Sequence, residues 1–150
     1  MVDDLFLFSE AIWHTLLEAI PQHLKFGDTD QPAYSMSPVL GIDINGNRKS
    51  TRAQFSLKDN AIIYIEWSDS QVQIRFVQRP RITDHMPIES IKSVPRWFQF
   101  NDPKWLSEMV KYFMEIIVIL DARHHIIKNE PYVIWKTDDI CASIIAKLTE

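Results

Sequence analysis

Residues Ala61 to Val77, AIIYIEWSDSQVQIRFV, form two alternating runs on either side of Ser68-Asp69-Ser70. A period of two places successive side chains on opposite faces of a strand, so this stretch predicts a β-hairpin. Ile63, Ile65 and Trp67 share one face of the first strand, and Val72, Ile74 and Phe76 meet them from the second. The opposite face carries Ile62, Tyr64, Glu66, Gln71, Gln73 and Arg75. One face is core; the other is polar with a few large side chains.

Working outward toward the N-terminus, residues 37–60 read as a second hairpin. Leu40, Ile42 and Ile44 alternate with Val39, Gly41 and Asp43. Asn45-Gly46-Asn47 is a turn signal, because Asn and Gly accept positive φ. Ala53, Phe55 and Leu57 then point to the core, with Arg52, Gln54, Ser56 and Lys58 opposite, and Asp59-Asn60 turns the chain into Ala61. Four strands joined by short turns predict an antiparallel meander. Residues 21–38, rich in Pro and polar side chains, read as a connecting loop. Before them, residues 4–20 predict an amphipathic helix. Leu5, Phe8, Ile12, Leu16 and Ala19 form its stripe, Asp3 or Asp4 its cap, and Pro21 its end.

On the C-terminal side, residues 78–102 are punctuated by Pro, with a helical turn expected at Ile88–Ile91 and a short strand at Arg96–Phe100. Asp102 and Pro103 then open a long helix over residues 103–128. Its apolar character spreads from the Met109, Phe113, Leu120 line to Val110, Met114 and Val118. A helix apolar around this much of its circumference is buried on more than one side. A central position is favoured, and a homodimer interface through this helix is the alternative. Asn129-Glu130-Pro131 stops it, Tyr132–Trp135 reads as a short strand, and Thr137 or Asp138 caps a last helix ending at Leu148. The expected fold is a single α+β domain over residues 1–150: a four-stranded antiparallel meander with helices packed on one face.

Composition narrows the function classes. The chain is 46% apolar and 24% charged, with a net charge of −4, which suits a globular protein. The charge is uneven. Residues 1–47 hold one basic side chain, Lys25, against seven acidic ones, whereas residues 48–104 hold ten basic against six acidic. Only three glycines occur, none after Gly46. Loops that cradle phosphates need close backbone approach and are Gly-rich, so a P-loop, a dinucleotide fingerprint or a kinase-type loop is excluded. Cys141 is the sole cysteine, which rules out an internal disulfide and favours a reducing, cytoplasmic location. No stretch predicts a membrane span or a signal peptide.

Candidate chemistry is sparse. Asp121, His124 and His125 stand at spacings of three and four near the end of the long helix, a start toward a metal site or an acid/base pair. A third ligand motif is missing, and His⁺ near a helix C-terminus is favourable through the helix dipole alone. Asp84-His85 lies in the long loop without the geometry of a relay. Cys141, among Ile and Ala, lacks a nucleophile's setting. No catalytic residue, metal or cofactor is therefore assigned, and the reading leans away from an enzyme.

The candidate binding residues are Arg52, Gln54, Tyr64, Glu66, Gln73 and Arg75 on the polar sheet face, with Arg79, Arg81, Arg96 and Trp97 from the segment that follows. Interleaved arginines and aromatics suit protein interfaces and single-stranded nucleic acid alike. The layout of helix, meander, helix and small acidic body resembles secretion chaperones and toxin-immunity proteins. That resemblance is of architecture alone; the absence of chemistry motifs, the acidic N-terminal third and the aromatics of the sheet face and of residues 79–100 point to a non-enzymatic protein-binding module of the inhibitor, immunity or chaperone type. The acidic N-terminal third would steer it to a basic partner. A nucleic-acid-binding module using Arg52, Lys58, Arg75, Arg79, Arg81 and Arg96 with Tyr64 and Trp97 is the first alternative. A small enzyme using His85 or the Asp121/His124/His125 cluster is the second.

Overall fold

A computed structural model describes residues 2–25, 34–37, 50–68, 70–79, 88–132 and 134–149, with backbone alone for residues 2–10, 34–37, 50, 51 and 53. The chain runs through α1 (Val2–Ala19), a 3₁₀ turn (Gln22–Leu24), β1 (Tyr34–Ser37), β2 (Ser50–Leu57), β3 (Ala61–Ser68) and β4 (Gln71–Gln78). It continues through β5 (Ile91–Lys92), β6 (Arg96–Gln99), α2 (Trp105–Ile127) and α3 (Asp138–Leu148). The expected α+β fold is present. β1 to β4 form an antiparallel meander in sequence order, and β5 and β6 both pair with the free edge of β4.

The opening hairpin pairs as its alternation dictates. Ile63 faces Phe76, Ile65 faces Ile74 and Trp67 faces Val72. All six are buried, as are Phe55 and Leu57 of β2. The register is held because a slip of one residue would turn every one of these side chains to the opposite face. β2 and β3 are joined through Asp59 and Asn60, both at positive φ (63° and 57°), a conformation that Asp and Asn tolerate better than other non-glycine residues.

α1 packs on β2, β3 and α3, whereas α2 packs on β4, β6 and α3. α2 is thus central: Met109, Val110, Phe113, Met114 and Ile117 are completely buried, and the Phe113 ring meets Phe55 edge-on at 6.1 Å. Its outward line is Glu108, Lys111, Glu115, Ile119 and Ile126. Among the described residues no helix is long and apolar enough to cross a membrane.

Local boundaries differ from expectation for physical reasons. The strand that pairs with β2 is Tyr34–Ser37, inside the segment read as a loop; four residues with alternate serines carry too little pattern to register. The expected strand over residues 39–44 lies outside the described residues. Ile91 pairs with Gln78 in β5 instead of closing a helical turn, because the open edge of β4 offers hydrogen bonds that an isolated turn lacks. Arg96–Phe100 does contain a strand. Tyr132, Ile134 and Trp135 are not in a strand. Instead Tyr132 donates to the Val118 carbonyl at 3.4 Å and Trp135 to the Asp121 carboxylate. α1 begins at Val2, so Asp3 and Asp4 lie inside its first turn. Asp102 accepts from the Lys104 N–H at 2.9 Å, with Lys104 as the N-cap.

The edge segment contains a bulge. Val77 pairs with Lys92 and Ile74 with Arg96, so three steps along β4 answer four along the edge. Ser93 bridges the gap: its Oγ accepts from the Phe76 N–H at 2.7 Å, and its own N–H donates to the Phe76 carbonyl at 2.9 Å. Val94, with 81% of its surface exposed, and Pro95 fill the extra space. An edge position tolerates Pro95, because a proline has no N–H to give to a ladder.

Candidate functional site

Two places carry the polar side chains singled out from sequence: the sheet face away from the helices, and the end of the sheet beside the C-terminus of α2.

On the open face, pairing builds rows. Arg52, Glu66, Gln73 and Trp97 are successive cross-strand partners from β2 to β6. Gln54, Tyr64 and Arg75 form the next row. Such neighbours lie close enough to interact, and the Arg75 guanidinium sits 4.0 Å from the Tyr64 ring centroid. An open depression of about 320 Å³ follows, lined by Ile62, Tyr64, Arg75, Val77, Arg79 and Lys92. Trp97 is 49% exposed. The side chains described on this face include four cations (Arg52, Arg75, Arg79, Lys92) and one carboxylate, Glu66.

Strand alternation separates two neighbours that sequence had grouped, and the bulge decides which of them faces outward. Trp97 pairs with Gln73 and joins the open face, whereas Arg96 pairs with the buried Ile74 and lies on the helix side. There the Arg96 guanidinium rests 5.0 Å from the Tyr112 ring and 5.3 Å from Phe98. Arg81 and His85 lie outside the described residues.

The second place is assembled by the Asp59-Asn60 turn. The Lys58 N–H donates to the Leu24 carbonyl at 2.8 Å, tying the turn to the 3₁₀ segment after α1. Asp59 Oδ2 accepts from His124 Nδ1 at 2.7 Å, tying it to the end of α2. The fully buried Gln78 donates to the Asp59 carbonyl at 3.1 Å and accepts from Arg123, which also donates to the Glu89 carbonyl. These bonds bring His23 onto the last turns of α2. His23 Nε2 donates to Asp121 Oδ1 at 2.5 Å. The other oxygen of that carboxylate accepts from Trp135 Nε1 at 3.1 Å. His125 Nδ1 donates to the Asp121 backbone carbonyl at 2.9 Å and stands 3.5 Å from Oδ1. The His23, His124 and His125 rings lie 5.5–5.9 Å apart, centroid to centroid.

Burial grades across the cluster. The Asp121 side chain is 7% exposed, His125 22% and His23 47%, so a largely desolvated carboxylate opens to water through two imidazoles. Tyr132, its ring 4.9 Å from that of His125, has a phenol pKa raised first by burial and then by the Asp121 charge, against the lowering effect of its bond to Trp135. Burial likewise leads in raising the Cys141 thiol, which keeps it protonated and poorly nucleophilic.

The sequence placed Asp121 and His125 together correctly. His124 belongs instead to Asp59, and the member that sequence reading missed is His23, 98 positions before Asp121. A histidine two residues after a helix-ending proline was the only local signal. No protein-family model matches the chain, and neither a curated protein nor a solved structure does.

Proposed function

We propose that the chain is a non-enzymatic protein-binding module that takes an acidic segment of a partner protein on the open face of its sheet. The observation that carries this reading is the composition of that face: Arg52, Arg75, Arg79 and Lys92 against Glu66, beside the half-exposed Trp97. Arginine and tryptophan are the side chains that most often anchor protein interfaces. Long cations aligned on a rigid sheet favour a carboxylate-bearing partner by charge complementarity. The basic partner expected from the acidic N-terminal third would need a different surface.

A nucleic-acid reading is less well supported. Stacking platforms need free aromatic faces, and Arg75 already covers one face of Tyr64. Arg96, counted among its cations, turns to the helix side.

The test is fluorescence anisotropy of a labelled peptide rich in Asp and Glu with interspersed Leu and Phe, run beside a labelled single-stranded oligonucleotide. Saturable peptide binding that weakens with salt and falls at least tenfold in Arg75→Glu and Arg52→Glu is the expected result. Preference for the oligonucleotide transfers the face to nucleic acid. Binding of neither, or peptide binding indifferent to both substitutions, overturns the proposal.

A further inference from the structure

We propose that His23, Asp121 and His125 form a binding site for a divalent transition-metal ion of the zinc class. One ligand atom from each of the three lies within 4.8 Å of the others. Two imidazoles and a carboxylate are the borderline donors that such ions select. Tetrahedral bonds of about 2.0–2.1 Å place neighbouring donors about 3.3 Å apart, and His23 Nε2 already stands 2.5 Å from Asp121 Oδ1.

The surroundings are those of a positioned ligand set. Trp135 Nε1 holds Asp121 Oδ2 and leaves Oδ1 directed at the histidines. His125 gives its Nδ1 hydrogen to the Asp121 carbonyl, so its lone pair sits on Nε2. A bond from one ring nitrogen commonly fixes the metal-binding nitrogen of the other in this way. Glu130 Oε2 stands 3.8 Å from that Nε2, and it or a water would supply a fourth ligand. The ion replaces the hydrogen that His23 Nε2 shares with Asp121. That hydrogen moves to Nδ1 through solvent at the half-exposed ring, so neutral His23 releases no net proton.

The competing reading is a set of His–Asp pairs that only pin the ends of α1 and α2. Isothermal titration of the chelator-treated full chain with Zn²⁺, and Co²⁺ absorption as a geometry-sensitive probe, separate the two. One Zn²⁺ per chain is expected, with a rise in Tm that scales with zinc concentration and affinity that falls on acidification, because imidazole ligands bind only when neutral. His23→Ala, at a half-exposed position, lowers affinity at least tenfold, and His125→Ala does the same. Trp135→Phe, a positioning change, lowers it about tenfold. His14→Ala on α1 leaves it unchanged. No saturable zinc binding by the wild-type chain, or wild-type affinity in the folded His23→Ala protein, overturns the site. Peptide binding at the open face is read in a separate assay, so either proposal can fail alone.

Discussion

Asp121 shows what a single buried carboxylate demands of its surroundings. Taken out of water it needs partners, and it finds His23 on one oxygen and Trp135 on the other. Its charge is also felt by Tyr132, whose pKa burial and Asp121 raise together. The consequence for stability has a definite sign. The folded chain keeps the Tyr132 proton at a pH where the unfolded chain has lost it, so this stability is fully present below the ordinary tyrosine pKa, about 10. It is then lost as pH rises through the folded value. In alkaline thermal melts the wild-type Tm should fall more steeply above about pH 10 than that of Tyr132→Phe. Parallel curves for the two proteins would detach Tyr132 from the folding equilibrium.

Among the elements, the edge segment from Ile91 to Gln99 depends most on one residue. Its bulge lets Lys92 and Trp97 share the open face while Arg96 and the buried Phe98 turn to the helices. Deleting Val94 removes the extra residue, and the strand beyond it must either slip, pointing Phe98 outward and Trp97 inward, or detach from β4. Loss of a buried Phe costs about 3–5 kcal/mol, so urea denaturation of the deletion variant should reveal a destabilisation of that size. An unchanged midpoint would mean that the register does not rest on the bulge. The alternating hairpin Ala61–Val77 was fully legible because its neighbours in space are its neighbours in sequence. The bulge was not, since Arg96-Trp97-Phe98 reads equally well with either parity until β4 supplies the partner.

For the whole molecule, the sheet and helices form two layers around one core, with α2 covered by the sheet on one side and α3 on the other. A homodimer through residues 103–128 would have to use the outward line of α2. There the exposed Ile119 and Ile126 share a surface with Glu108, Lys111 and Glu115. Stable interfaces bury about 800 Å² per partner with an apolar centre, which two isoleucines among charges do not provide. The chain should therefore sediment as a monomer, and Ile119→Lys with Ile126→Lys should leave its mass unchanged. A wild-type dimer dissociated by that pair would return the helix to an interface role.

Periodicity in the chain determined the α+β class, the β2 to β4 part of the meander, the buried face of Ala61–Val77 and the near-complete burial of α2, because each depends on patterns repeated within one element. It also placed Arg52, Gln54, Tyr64, Glu66, Gln73 and Arg75 on a shared face. Tertiary structure alone decided which of Arg96 and Trp97 joins them, since a bulge on an edge strand is set by its partner. It alone brought His23 to Asp121 and His125, through turn and capping bonds that span 98 positions. Period-based reading sees one element at a time. The open sheet face lies within such elements, whereas the histidine cluster lies where the 3₁₀ turn, the β2–β3 turn and the end of α2 meet.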